Sequence, residues 1–500
     1  MTISGISSNM APLIQSAVDI NKQLDDLQLQ LSSGEKSQTY AGLGPQSGVT
    51  VALNAQLSAL SGFDDTISNV GTTVSLQQLV LQQIATLGNT AKTATLQQNY
   101  SIDSTGQTAA QKTAADQLNQ ILSLLNTQGG NGYMFSGDAV DQPSVDTADH
   151  ILNGNGSQAG LKQVIAERNL ADGTNGLGRL VIPAASGSTV AVSEDVAGSV
   201  FGLKLASVNS SLTGATVTGP SGSPATISVA LGASNPNNGD SVSYTFTLPD
   251  GTSQTLQLTA TTSATPGANQ FTIGATPALT AANLQAALTS GVSQIAGTSL
   301  TAASTLAASN DFFDDPPQRV SGSPAAATAL VDGTTANTVF WYTGDNSAGS
   351  VRSSATARID PTTTVSYGTQ ANEQGIRWIV QNIAALAATT YSASDPNASA
   401  SYAALNSRIN TALAVPAGVQ NITDIEASLA NAQTAMASAK SQHAQTSTML
   451  QNMLQSIEGV DQNQVGAEIL SLQTSLSASL STTARMAQLN LLTYLSPVAG

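Results

Sequence analysis

The sequence predicts an α+β multidomain protein. Its N- and C-terminal helices pair into a coiled-coil-like α-helical stalk, and a mainly β (α+β) domain is inserted in the middle of the chain. Three observations predict this. Apolar residues recur in steps of three and four at both ends, while segments between residues 138 and 368 alternate apolar and polar. Ala, Ser, Thr, Gln, Asn and Gly dominate, with only 9% of residues charged and 4% aromatic, far from the roughly one-quarter charge of ordinary soluble domains. That is the composition of long packed helices plus light β modules, and 41% hydrophobic content over 500 residues suffices for real cores.

From the N-terminus, Leu13, Ala17, Ile20, Leu24, Leu27 and Leu31 step by four and three, the seam of a coiled coil. The stripe stops at LSSGEK, where Gly34 suits a C-terminal helix cap. After the link YAGLGPQSG (40–48), a second stripe runs through Leu53, Leu57, Leu60, Phe63, Ile67, Val70, Val74, Leu81, Ile84 and Leu87, and a shorter one through Leu118, Ile121, Leu122 and Leu125.

The other end mirrors this. Ile422, Ile425, Leu429, Ala432, Met436, Ala439, His443, Thr446, Leu450, Met453 and Ile457 form an unbroken seam that Glu458-Gly459 interrupts. A last helix carries Val465, Ile469, Leu472, Leu476, Leu480, Ala484, Ala487, Leu491 and Leu495 on one face. Neither end has a partner of its own, so the two are expected to pack on each other, making the chain a hairpin. The expected divisions are 1–45, 46–137, 138–368, 369–458 and 459–500.

Between the arms, SVSYTFTLPDGTSQTLQLTA (241–260) alternates around Pro-Asp-Gly, a β-hairpin signature. Residues 176–206 read as short strands. LTAANLQAALTSGVSQIA (279–296) reads as a helix capped by Thr280. At the exit from the first arm stands NGYMFSGD (131–138), where glycines permit a reversal. If the stretch is extended, Tyr133 and Phe135 face one side and anchor the chain before Gly137 turns it into the insert.

The chemistry on offer is thin. Thirty-one acidic against fifteen basic residues, net −16, with no Lys/Arg cluster, make nucleic acid and anionic membranes poor partners. The absence of cysteine excludes disulfides, thiolate nucleophiles and cysteine metal sites; it suits a protein that ends outside the cell, and equally a lineage poor in cysteine. The N-terminus lacks a basic region followed by an apolar core, and no apolar run reaches a membrane span, so neither a cleaved signal peptide nor membrane insertion is expected. His443, on the seam, reads as a register-setting core polar residue, and His150 as a loop residue. The acidic stretch with Asp311, Asp314 and Asp315 lacks EF-hand spacing and reads as a solvated turn. No nucleophile has a base near it, and SSGEK and GLGPQSG match no phosphate-binding loop. The expectation is no catalytic residue, no cofactor and no metal.

Several motifs in order carry a resemblance. A first helix ending LQLQLSSGEK (27–36), a glycine link, a long second helix, NGYMFSGD, the return SYGTQANEQGIRWIVQNIAAL (366–386) and the ending SLSASLSTTARMAQLNLLTYL (475–495) resemble the bacterial flagellin superfamily. NGYMFSGDAVDQP is most similar to the hook-filament junction proteins (hook-associated proteins), with filament flagellins next. The tract after SSGEK departs from relatives in having no acidic pair, and the insert matches none of them. The resemblance implies a structural subunit exported through the flagellar type III pathway with the aid of an export chaperone, and assembled outside the cell as a helical homopolymer. Its neighbours would be other hook, junction or filament subunits. The terminal helices (1–45 and 459–500) would line the inner tube, and the insert would face outward. A secreted coiled-coil adhesin is the alternative of another class, and an enzymatic insert a third.

Overall fold

The structure, a computed structural model, describes the backbone of residues 4–97, 99–130, 132–347 and 349–495, and side chains within 11–488. Its helices are α1 (Ser4–Ser33), α2 (Ser47–Leu96), α3 (Ala109–Leu125), α4 (Ala148–Asn153), α5 (Leu161–Asp172), α6 (Pro277–Ile295), α7 (Thr301–Phe313), α8 (Gln374–Ala388), α9 (Ala398–Ala412), α10 (Ile422–Glu458) and α11 (Gln462–Leu495). The class is α+β.

The chain divides into two compact units. One holds residues 1–69, 358–365 and 434–500; the other holds 70–357 and 366–433. These divisions differ from the expected ones at 45/46, 137/138, 368/369 and 458/459. The expected insert is not a body apart, because its helix α7 packs on the returning helices α8 and α9. Ser309 Oγ donates to the Gln381 carbonyl at 2.7 Å, and Gln381 Nε2 donates to Asn310 Oδ1 at 2.7 Å.

In the first unit α1 packs on α11. Leu24, Val465 and Ile469 form the buried centre of that contact, with Ile20, Leu27, Val460, Leu472 and Leu476 packed against it. The two glycine breaks meet as well. Gly34, at φ +75, ends α1; Lys36 N then donates to the Glu458 carbonyl at 2.6 Å, and Val460 N donates to the Gly34 carbonyl at 3.1 Å. Lys36 Nζ donates to the Ile457 carbonyl at 2.8 Å, satisfying a C-terminal orphan of α10 with a cation where the helix dipole favours one.

The second unit contains two four-stranded sheets. The strands of these two sheets, which follow the short pair β1 (Gln128–Gly129) and β2 (Gly132–Tyr133), are β3 (Leu180–Val181), β4 (Thr189–Glu194), β5 (Lys204–Ser210), β6 (Thr216–Ser221), β7 (Thr226–Ala230), β8 (Ser241–Thr247), β9 (Ser253–Thr261) and β10 (Gln270–Thr272). The sheet orders are β3-β4-β7-β6 and β10-β9-β8-β5. The β8–β9 hairpin falls on the alternating segment, with Pro249, Asp250 and Gly251 in its turn. One core serves both sheets: Val190, Val192, Ile227 and Val229 from the first, Tyr244, Phe246 and Leu258 from the second, and Leu284, Leu288 and Val292 from α6. Alternation along each strand puts every second side chain into that core, which is why the pattern was readable.

Helix α6 starts earlier than expected. Thr276 is its cap, accepting from Leu279 N, and Pro277 occupies the first helical position, where its fixed φ and missing N–H cost nothing. Thr280, the expected cap, is instead buried within the first turns and donates to Asn235 Oδ1 at 2.7 Å.

Candidate assembly surface and boundary turn

The expected seam residues fall into three groups. Leu24, Leu450 and Ile469 are buried, whereas Leu13, Ile20, Leu27, Ile457, Leu472 and Leu476 are half-buried. Leu31 and Leu480 are exposed, at 38% and 55%. This corrects their placement in a closed seam, because periodicity defines an apolar face and not what covers it. The side chains of Leu491 and Leu495 lie outside the described residues. Further apolar side chains outside the seam are also exposed on the same helices: Ile14, Val18 and Leu29 on α1, and Leu470 on α11 at 65%.

His443 is buried in the first unit, its Nδ1 2.8 Å from Asp64 Oδ1 and its Nε2 3.5 Å from Asp360 Oδ2. It sits as a core polar residue whose two ring nitrogens face carboxylates on different segments, so it fixes the register of α10 against α2 within that unit. His150 is not in a loop. Thr147 caps the short helix α4, and His150 Nδ1 lies 2.9 Å from Asp146 Oδ1.

The boundary turn is a built junction. Helix α3 ends at Leu125, and the Asn126 side chain pairs with Val145 through both its nitrogen (2.9 Å to O) and its oxygen (3.0 Å from N). Strands β1 and β2 then form a two-residue ladder, with Gly130 at φ +63 between them. The strand stops at Tyr133 and the chain turns through Met134 and Phe135. Tyr133 is therefore half-buried while Phe135 is fully enclosed, which corrects the expectation of a matched pair on one side of an extended stretch.

The returning chain closes on this turn. Ala371 N donates to the Phe135 carbonyl at 2.8 Å, and Thr369 Oγ1 donates to the Met134 carbonyl at 2.7 Å. Gln77, buried on α2, donates to Thr369 Oγ1 at 2.8 Å. Outgoing chain, returning chain and long helix are thus stitched at one point, with backbone groups that would otherwise be buried orphans satisfied. Gly137, at φ +64, is required there: a Cβ would lie 2.7 Å from Gln370 Nε2 and 3.3 Å from the Asp345 carbonyl. Beside it the Glu373 carboxylate takes Arg352 and Gln420 Nε2. Burial pushes its pKa up, with Arg352 opposing.

Sequence reading missed Gln77, although a signal existed. The α2 stripe steps seven residues from Val74 to Leu81, and the position that would continue it at helical spacing is Gln77. It also misplaced the acidic stretch. Asp311 belongs to α7 and binds Arg168 Nη1 at 2.6 Å, while Arg168 Nε binds the wholly buried Asp172 at 2.9 Å. The Arg168 guanidinium also lies 5.1 Å from the centre of the Phe201 ring. Asp314 pairs with Arg377 at 3.2 Å. Two carboxylates and one cation leave the Arg168 cluster over-supplied with negative charge, and the Asp311 carboxyl is pushed up from 3.8 to about 6 by burial, with Arg168 opposing.

The folded chain therefore holds the Asp311 proton more tightly than the unfolded chain does. The stability this contributes is full below the unfolded value and is lost as pH rises through about 6. Asp311→Asn, which keeps an acceptor for Arg168, is expected to remove about 2 kcal/mol of the stability difference between pH 4.5 and pH 7.5. Urea unfolding at the two pH values measures it; an unchanged difference contradicts the role given to Asp311.

Among the described residues no three His, Asp or Glu side chains gather as a metal-ligand set, and no helix is long and apolar enough to cross a membrane. No family model matches the chain, and no curated protein matches it.

Proposed function

We propose that the chain is a structural, non-enzymatic subunit of the bacterial flagellum that self-assembles through its terminal helices, most like the hook-filament junction protein. The observation that carries the polymer is the exposed apolar surface on α1 and α11, namely Ile14, Val18, Leu29, Leu31, Leu470 and Leu480. A second copy of the same chain supplies a matching pair of helices, and small Ala and Ser residues between the leucines allow close approach. In the assembled state the terminal helices wind as a coiled coil around an inner tube. The word flagellum rests on the ordered motifs at the two ends, above all NGYMFSGD and the returning SYGTQANEQG. On this reading the subunit leaves the cell by the flagellar export pathway, escorted by a chaperone, and its partners are copies of itself and neighbouring hook, junction or filament subunits.

Electron microscopy of the purified protein, with and without hook fragments as seeds, tests the reading. A junction subunit adds a short layer to hook ends and makes no long filament alone. Long filaments from the protein by itself would reassign it as filament flagellin. Monomer under both conditions would remove the polymer proposal and leave the secreted adhesin.

A further inference from the structure

The second unit contains a cavity that the assembly reading does not use. It has a volume of about 700 Å³ and lies between α5, the end of α6, the start of α7 and the segment 388–401. Its size is that of a small-molecule site, but its walls are not the apolar walls such sites usually have. Asn169, Asn175, Ser293, Thr305, Asp395 and Asn397 all line it.

The state of these polar groups defines what would fit. Asn169 Oδ1 is buried and has no hydrogen-bond partner, an arrangement that is costly unless a donor arrives from a ligand or solvent. Asp395 accepts from Asn397 N through Oδ1 at 2.9 Å, leaving its second oxygen available. The one ammonium on the wall, Lys162 Nζ, donates to Asn153 Oδ1 at 2.8 Å, and its charge is balanced on the same wall by the Asp395 carboxylate. The cavity thus has acceptors in need of donors and no net positive charge on its walls, which disfavours phosphates and other anions. Tyr391 is the aromatic on the wall, held edge-on by Tyr100 and Tyr402 at centroid distances of 6.1 and 5.8 Å. A rigid ring beside hydroxyl and amide groups suits a ligand with C–H faces and many O–H donors.

We infer that this cavity binds a neutral saccharide of one or two rings, with Asn169 Oδ1 and the Asp395 carboxylate accepting from its hydroxyls. The site lies within one unit and does not depend on polymerisation. Its position is set by the ends of helices that the β core and the returning helices hold in place. The π-turn at residues 296–300 brings Gly297 close to Asn397, where a Cβ would come within 2.5 Å of Asn397 Nδ2.

The test uses the full-length monomer with glucose, N-acetylglucosamine and maltose as probes, followed by saturation-transfer NMR and calorimetric titration. At least one probe is expected to bind saturably, and inorganic phosphate is expected not to. Asn169→Leu should weaken binding about tenfold, the worth of one buried acceptor. Ser293→Trp, at an exposed wall position, should block entry without disturbing the core. Failure of all three sugars overturns the inference, as does saturable phosphate binding, or sugar binding that neither variant alters. Unchanged far-UV dichroism of both variants ensures that lost binding reflects the cavity.

Discussion

Replacing Phe135 by Ala is expected to cost the second unit about 3–5 kcal/mol, the range for truncating a fully enclosed phenylalanine. Phe135 is completely shielded from solvent, and the returning chain pins the backbone here, Ala371 N donating to the Phe135 carbonyl and Thr369 Oγ1 to that of Met134. The turn therefore has little freedom to collapse into the space left behind. Tyr133→Ala, at a half-buried position two residues away, is expected to cost well under half as much. Both tryptophans, Trp341 and Trp378, lie in the second unit, so fluorescence during urea unfolding reports that unit alone. A Phe135→Ala loss below about 1 kcal/mol, or one equal to that of Tyr133→Ala, would mean the turn is not anchored by Phe135.

The parts of this fold that depend on neighbours along the chain were readable from it. Gly34 closes α1 because a glycine at positive φ is the ordinary stop for an apolar helix, and the β8–β9 hairpin follows from alternation around Pro249, Asp250 and Gly251. Where a local signal was misweighed, a second local signal stood beside it: Thr280 looked like a cap, but Pro277 marked the first helical turn and so named Thr276. The boundary turn was located from its glycines and aromatics, yet its internal geometry was not. Whether Tyr133 and Phe135 share a side depends on hydrogen bonds from Thr369 and Ala371, more than two hundred residues on.

Contacts between distant polar residues were not legible in the same way. Nothing in the spacing of Asp311 points to Arg168, its partner 143 residues away, and an acidic run next to two prolines is ordinarily a solvated turn. The packing of α7 on α8 and α9 was hidden for a related reason. Composition separated a β-rich middle from helical arms, but Ser309, Asn310 and Gln381, which join them, are compositionally neutral.

The terminal helices give the sharpest test of what periodicity means. A stripe of leucines reports which face is apolar, and in α11 that face is only partly covered within the chain: Ile469 is buried beside Leu24 and Val465, while Leu480 on the stripe and Leu470 beside it remain 55% and 65% exposed. The double variant Leu470→Asp, Leu480→Asp should therefore leave the monomer as stable as the parent, within about 0.5 kcal/mol, since exposed positions tolerate such changes. It should nevertheless disable assembly. Covering each leucine in a subunit contact contributes about 2 kcal/mol, so losing both costs about 4 kcal/mol and raises the critical concentration roughly a thousandfold. Ile469→Asp is the opposite case, because it places an unpaired carboxylate inside the α1–α11 contact and should loosen that pair in the monomer itself. Sedimentation across a concentration series separates the two effects from limited proteolysis of the monomer. If the double variant polymerises at the parent concentration, the exposed leucines of α11 are not where subunits meet, and the apolar face of α1 is left to carry the contact.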